Sequence, residues 1–323
     1  MAVQFLLYRK VNLKKYRKTG YKPLIQGGKF MKIGVSSYSF HTLVRSGAMT
    51  QLEVISKAKE LGFDAIEFST FILPEGETPL TFAPKVREEC ERVGMEVVNY
   101  TIWADFLSSC DGDWEREAER LQTEVRVAHI LGSPGMRHDA TWGYPADTQG
   151  CARSFDNALS TLIKGCRAVT EYAAEYGIRT MVENHGYFVQ DSERIERLVS
   201  GVNHPNFGAL VDIGNFLCAD EDPARAVGRL MPYAFHVHVK DFHVKSGNEP
   251  NPGKGWFRSR GGNYLRGAIV GHGSVPIVQC LKIMKANGYD GVLSIEFEGM
   301  EAPLEGIAIG LENLKKYLAM AQD

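Results

Sequence analysis

Eight times after Met31, a short β-rich run gives way to a stretch of helical period. The runs are KIGVSSY (32–38), FDAIEFS (63–69), MEVVNYT (95–101), GMRHD (135–139), RTMVENH (179–185), FGALVDI (207–213), YAFHVHV (233–239) and GVLSIEF (291–297). Alternation of this kind leaves few ways to bury apolar faces. Thr50 to Glu53 reads as a capping box opening a helix, with Leu52, Ile55, Ala58 and Leu61 as its stripe. A last helix carries Leu304, Ile307, Leu311, Leu314 and Leu318. LGFDAIEFS (61–69) and NGYDGVLSIEF (287–297) repeat one plan, a helix stopped at glycine and a strand closing on glutamate. Eight such units in about 290 residues predict a (β/α)8 TIM barrel. The rival, a doubly wound open sheet, usually has a Gly-rich turn after its first strand, and VSSYSF (35–40) is nothing like one. No linker divides residues 31–323, so one domain is expected. The connection from Phe242 to Ser274 shows no obvious element.

Residues 1–30 hold eight Lys/Arg and no Asp/Glu, which leaves 29 basic against 39 acidic residues in the remainder. An acidic body repels phosphate backbones, so no nucleic-acid partner is expected. No apolar run reaches about 18 residues, so no membrane span is expected. The basic leader lacks the order of a signal peptide. Residues 26–31 back-translate as CAA GGA GGT AAA TTT ATG, a ribosome-binding sequence before a start codon. The expectation is that Met31 is the natural start and 1–30 a translated leader; the alternative is a disordered basic tail. Cys90, Cys110, Cys151, Cys166, Cys218 and Cys280 are scattered without a CxxC pair. Free thiols in a reducing cytosol fit that pattern, and a cytoplasmic location is expected.

In a barrel, chemistry sits at the C-terminal ends of the strands, and alternate residues face the lumen. Glu183, Asp212, His238 and Glu296 each follow an apolar run and are carried to the mouth. Three carboxylates together repel one another, and a divalent cation relieves that repulsion. Three carboxylates and an imidazole favour Mn²⁺ or Mg²⁺, with Co²⁺ or Zn²⁺ able to substitute. Taken singly, each residue has a plainer reading: a solvated rim glutamate, an aspartate forming a turn, a satisfied core histidine. In AFHVHVKDFH (234–243), His236, His238 and Lys240 share the lumen face. His236 lies deeper, as a hydrogen-bonded residue, and His243 falls in the loop. His185 shares the parity of Glu183 and reads as an extra base, or as a hydrogen-bond partner of Glu183 or Asp212. His138, Lys240 and Trp103 are candidate substrate contacts, although core packing suits Trp103 equally. Glu67 reads as a rim hydrogen-bonding group. The Gly-rich segment 246–274 reads as a lid bringing Arg258, Arg260 or Arg266 to substrate, or as a surface loop or subunit contact.

Four stretches in order, VENHG (182–186), LVDIGNF (210–216), HVHVKD (236–241) and GYDGVLSIEFEG (288–299), make the chain from Met31 resemble the xylose-isomerase-like sugar and sugar-phosphate isomerases and epimerases. The resemblance implies one divalent metal ion, Mn²⁺ foremost, held by Glu183, Asp212, His238 and Glu296. It implies deprotonation beside a carbonyl through an enediolate, with Glu183 and Glu296 sharing the proton transfers. It also implies a small-molecule sugar substrate and a homo-oligomer. Asn215 stands where many relatives carry a substrate-contacting histidine, which leaves the sugar open. The ENHG histidine keeps a second outcome in view: a C-glycoside deglycosylase-type lyase acting on 3-oxo-glycosides with a small partner subunit. A non-catalytic sugar-binding barrel is the non-enzyme alternative, and an endonuclease IV-type enzyme is disfavoured by Asn215 and the acidic body.

Overall fold

A computed structural model describes residues 31–150 and 152–321, so the expected leader and Cys151 lie outside the described residues. The strands in chain order begin with β1 (Lys32–Ser36), β2 (Ala65–Ser69), β3 (Glu96–Ile102) and β4 (Gly135–His138). There follow β5 (Arg179–Glu183), β6 (Phe207–Asp212) and β7 (Ala234–Val239). Then come β8 (Asp241–Lys245), β9 (Phe257–Arg258), β10 (Tyr264–Ala268) and finally β11 (Val292–Ile295). Strands β1 to β7 and β11 form one closed barrel. The last strand closes it by pairing in parallel with both β7 and β1.

The expected helices form where their signals lie. Thr50 and Glu53 complete both halves of the capping box on helix Gln51–Glu60. Its residues Ile55 and Ala58 enter the core, as do Ile307, Leu311 and Leu314 of helix Pro303–Met320. Val35, Ile66, Met136, Val182, Val211, Val237 and Ile295 belong to the same large apolar cluster. Their strand neighbours Ser36, Glu67, Arg137, Glu183, Asp212, His238 and Ser294 are buried polar residues. Strand alternation therefore separates an apolar layer under the helices from a polar lumen. No helix among the described residues is long and apolar enough to cross a membrane.

The connection after β7 corrects the expectation of a structureless stretch. Strands β8, β10 and β9 form an antiparallel sheet in that order, with Asp241 opposite Ala268 and Arg266 opposite His243. His243 is thus a strand residue. Asp241 fixes the chain's return: its carboxylate accepts from the N–H groups of Gly271, Gly273 and Val275 at 2.9, 2.8 and 3.0 Å.

Candidate functional site

Strands β5, β6 and β7 deliver Glu183, Asp212 and His238, and Glu296 follows β11 directly. One ligand atom from each lies within 4.8 Å of the others, and all four residues are buried. Nδ1 of His238 faces Glu183 at 3.4 Å, Asp212 at 3.8 Å and Glu296 at 3.6 Å. Neither this Nδ1 nor Asp212 Oδ2 makes a hydrogen bond, although the Lys240 ammonium lies 3.3 Å from Oδ2. Leaving a buried polar atom unpaired costs about 1–3 kcal/mol. Two such atoms directed at one point among carboxylates fit a divalent cation.

Each donor is held from behind. Asp212 Oδ1 accepts the N–H groups of Gly214 and Asn215 at 2.8 and 2.9 Å, so this aspartate shapes the turn while Oδ2 stays directed at the site. Gly214 is required there, because a Cβ would come within 2.8 Å of the Lys240 carbonyl. Asn184 brackets Asp212, donating to its carbonyl at 2.8 Å and accepting its N–H at 2.9 Å.

Behind His238, Nε2 bonds Glu67 Oε1. Glu67 is fully buried, not a rim residue, and its Oε2 meets His236 Nε2 and Asn99 Nδ2, both at 3.1 Å. Burial opposes its charge, but His238 and His236 outweigh burial and hold the carboxyl below the usual range. His236 also bonds Ser294 Oγ at 2.8 Å, as a deeper lumen residue should. A carboxylate behind one ring nitrogen fixes the imidazole's tautomer and leaves Nδ1 to face the site.

On the opposite side stands a group the sequence reading missed. Arg137, buried on β4, places Nη2 2.6 Å from Glu183 Oε2 and 2.8 Å from Asp139 Oδ1. Asp139 Oδ1 in turn bonds His185 Nδ1 at 2.9 Å, so the partner of His185 is neither Glu183 nor Asp212. An arginine inside a strand whose neighbours are apolar was the available signal. Parity makes Arg137 the lumen residue of β4. His138 faces outward instead, fully buried edge-on to Phe106 at 5.9 Å, which corrects the expectation of a mouth contact.

These charges split the two glutamates. Burial would raise the pKa of Glu183, but Arg137 and then His238 hold it well below the usual range. For Glu296 burial prevails over Lys240 and His238, and its pKa is raised. His185 is raised as well: burial opposes protonation, and Asp139 outweighs it. Lys240 reaches the centre itself, with Nζ 2.6 Å from Glu296 Oε2 and 3.3 Å from Asp212 Oδ2. Burial acts against its charge, but Asp212 and Glu296 keep it protonated. Asn215 donates from Nδ2 to Glu183 Oε1 at 3.1 Å and accepts from Lys240 at 3.3 Å.

The remaining candidates sit further out. Trp103 is half exposed rather than core, with Arg120 over its ring at 5.8 Å. Arg266, expected to reach substrate, lies over Trp256 and bonds Glu301 at 3.4 Å. Arg258 bonds Tyr264 Oη at 2.9 Å, and Arg260 bonds Asp191 at 2.9 Å. Each of the three is thus engaged by a residue outside the carboxylate cluster.

Comparison with known proteins gives a consistent picture. A family model described as a xylose isomerase-like TIM barrel matches residues 55–317. The uncharacterized protein MJ1311 of Methanocaldococcus jannaschii is 27% identical over 316 residues, 91% of each chain. An inosose dehydratase of Clostridium botulinum is 27% identical over 161 residues, 48% of this chain and 53% of the relative. The match thus spans about half the length of that enzyme. The solved L-ribulose 3-epimerase superposes with a TM-score of 0.67 at 16% identity, covering 90% of this chain and 96% of the other, which is a likeness of fold.

Proposed function

Because the chain belongs to the xylose isomerase-like TIM barrel family, we propose that it is a divalent-metal-dependent sugar isomerase or epimerase that removes a proton from the carbon beside a carbonyl. The observation that carries this reading is the convergence of Glu183, Asp212, His238 and Glu296, two of whose buried atoms make no hydrogen bond. An ion held by these four would polarise the substrate carbonyl and stabilise the charge left when the proton departs. The oxygen-rich donor set favours Mn²⁺. Glu296, whose Oε1 meets only the Ser36 hydroxyl at 3.4 Å, takes the proton. Lys240 stays charged and orients a substrate oxygen. Glu67 acts only through His238, as a positioning residue. Glu67→Gln is expected to weaken Mn²⁺ binding by about 10–100-fold. Calorimetric titration checks this, and unchanged affinity would show that the imidazole does not depend on Glu67.

The state of Glu183 favours a second reading, elimination. Arg137 engages its Oε2 and Asn215 its Oε1. A carboxylate held this way is a poor proton carrier, whereas epimerisation needs a second group to return the proton on the other face. Elimination needs only one base. Glu296 takes the α-proton, the C–H electron pair becomes the new C=C bond, and the C–O bond at the β-carbon breaks. His185 gives its proton to the leaving oxygen. The relatives named inosose dehydratase point the same way. With an O-glycoside the leaving oxygen is the aglycone's; with a C-glycoside the C–C bond to the aglycone breaks instead, its electron pair and the proton going to the aglycone carbon, and a small co-purifying subunit would belong to that version.

The test uses Mn²⁺-loaded protein with a panel of ketoses, inososes and 3-oxo-glycosides in D₂O. Isomerisation or epimerisation leaves deuterium on the carbon beside the carbonyl and conserves mass apart from the label. Elimination releases water or aglycone and leaves an unsaturated or deoxy ketone. No exchange and no product on any of them, with metal bound, would sink both readings.

A further inference from the structure

Trp142 and Tyr187 follow β4 and β5 and remain 49% and 40% exposed. Neither is a loose surface side chain. The backbone N–H of Trp142 donates to Asp105 Oδ2 at 3.1 Å, and the preceding Thr141 hydroxyl donates to Oδ1 at 2.7 Å. Asp105 is buried, so a desolvated carboxylate is used to seat a half-exposed indole. The indole lies against Gly186, whose φ is +76° and where a Cβ would meet the ring at 3.4 Å. It also meets the His185 ring edge-on, with centroids 5.0 Å apart. Tyr187 has a φ of 63°, left-handed backbone that is costly for a bulky residue and is retained mainly where function requires it. Its N–H donates to Gln190 Oε1 at 2.6 Å, and its hydroxyl donates to the Arg258 carbonyl at 2.7 Å.

Between these two residues and Phe155 and Phe188 lies a groove of 670 Å³. That volume is in the range of small-molecule sites. Its arginines are already answered. Arg194 and Arg260 meet Asp191 at 3.4 and 2.9 Å, and Arg197 meets Asp156 at 2.5 Å. Arg153 donates to the Thr148 carbonyl at 3.0 Å. Arg194 also lies over both phenyl rings, at 5.4 and 5.5 Å. The lining sets four arginines against Asp156, Asp191 and Glu193, so a single positive charge is left over, which is little for a phosphate to draw on. A neutral hydroxylated ring needs donors, acceptors and an aromatic face together; the half-exposed Trp142 supplies the face, since guanidinium groups cover the Phe155 and Phe188 rings.

We propose that this groove is a second substrate subsite, which takes an uncharged hydroxylated ring joined to the sugar that reacts beside His185. The substrate is then a glycoside with a second sugar ring, not a free or phosphorylated monosaccharide. The inference rests on the barrel mouth being the reacting site.

The test uses Mn²⁺-loaded Glu296→Gln protein, so that binding is read without turnover. Tryptophan fluorescence and calorimetry follow glucose, glucose 6-phosphate, cellobiose, maltose, lactose and gentiobiose. At least one disaccharide is expected to bind about 10-fold or more tighter than glucose. Trp142→Ala should abolish that gain and leave glucose affinity within about 2-fold, while Trp142→Phe retains part of it. Disaccharides no tighter than glucose, glucose 6-phosphate tightest of all, or equal weakening of glucose and disaccharide by Trp142→Ala would each overturn the proposal. The D₂O experiment tests the reaction separately, so a disaccharide preference without α-proton exchange refutes the chemistry and leaves the subsite standing.

Discussion

Glu296→Gln is expected to lower α-proton exchange by about 10²–10⁴-fold while the barrel stays folded. Glutamine keeps an oxygen where Glu296 has one, so a ligand atom survives while the base is lost. Its carboxylate is tied by Lys240 at 2.6 Å and distantly by Ser36 at 3.4 Å, leaving it the less encumbered of the two glutamates. Glu183→Gln should behave differently. It removes one of the two counter-charges of Arg137, so stability and metal affinity fall, but at saturating Mn²⁺ the rate falls less than for Glu296→Gln. Exchange rates of both variants, measured across a Mn²⁺ titration, decide the matter. Equal losses at saturation would restore a two-base mechanism, and full activity in Glu296→Gln would remove it as the base.

The barrel was legible because each strand carries an apolar face for the helices, and that face survives as a run in one dimension. The inserted sheet was not. Strands β8, β9 and β10 are two to five residues long, lie in a glycine-rich segment, and are fixed by antiparallel pairing more than by side-chain pattern. The pairing of β8 with β10 joins residues as far apart as Asp241 and Ala268, which composition does not report.

The four converging donors were legible for a related reason. Each closes an apolar run at the same parity, so strand geometry alone brings them to one level. What the sequence hid was contact across the lumen. In the sequence Glu67 looks like a strand-ending glutamate at the rim, but β2 continues to Ser69 and Glu67 sits at its middle. The register of β2 against β3 shifts between Ile66 and Glu67, and the stagger of the barrel brings Glu67 level with His236 and His238. Arg137, Asp139 and His185 form a chain for the same reason: β4 pairs beside β5, and the end of one strand meets the end of the next. Parity was sufficient to exclude His138 and select Arg137. The sequence reading applied it to β5 and β7 but not to β4.

Arg137→Met is expected to reduce the stability of the metal-free protein by about 3–5 kcal/mol, the cost of leaving a buried ion-pair partner unpaired. The guanidinium stands between two carboxylates, Glu183 at 2.6 Å and Asp139 at 2.8 Å, and all three groups are buried. Methionine fills similar volume, so packing changes little and the loss reports charge. The same substitution should not weaken Mn²⁺ binding. A fixed positive charge against Glu183 competes with an incoming cation for that carboxylate, so its removal keeps or increases affinity at low ionic strength. Mn²⁺ should therefore recover more stability in the variant than in the parent, since tighter binding to the folded state raises stability further. Denaturant unfolding with and without Mn²⁺, together with calorimetric titration, reads both effects. A merely structural role for Arg137 predicts that stability and metal affinity fall together, and that outcome would remove it from the electrostatics of the site.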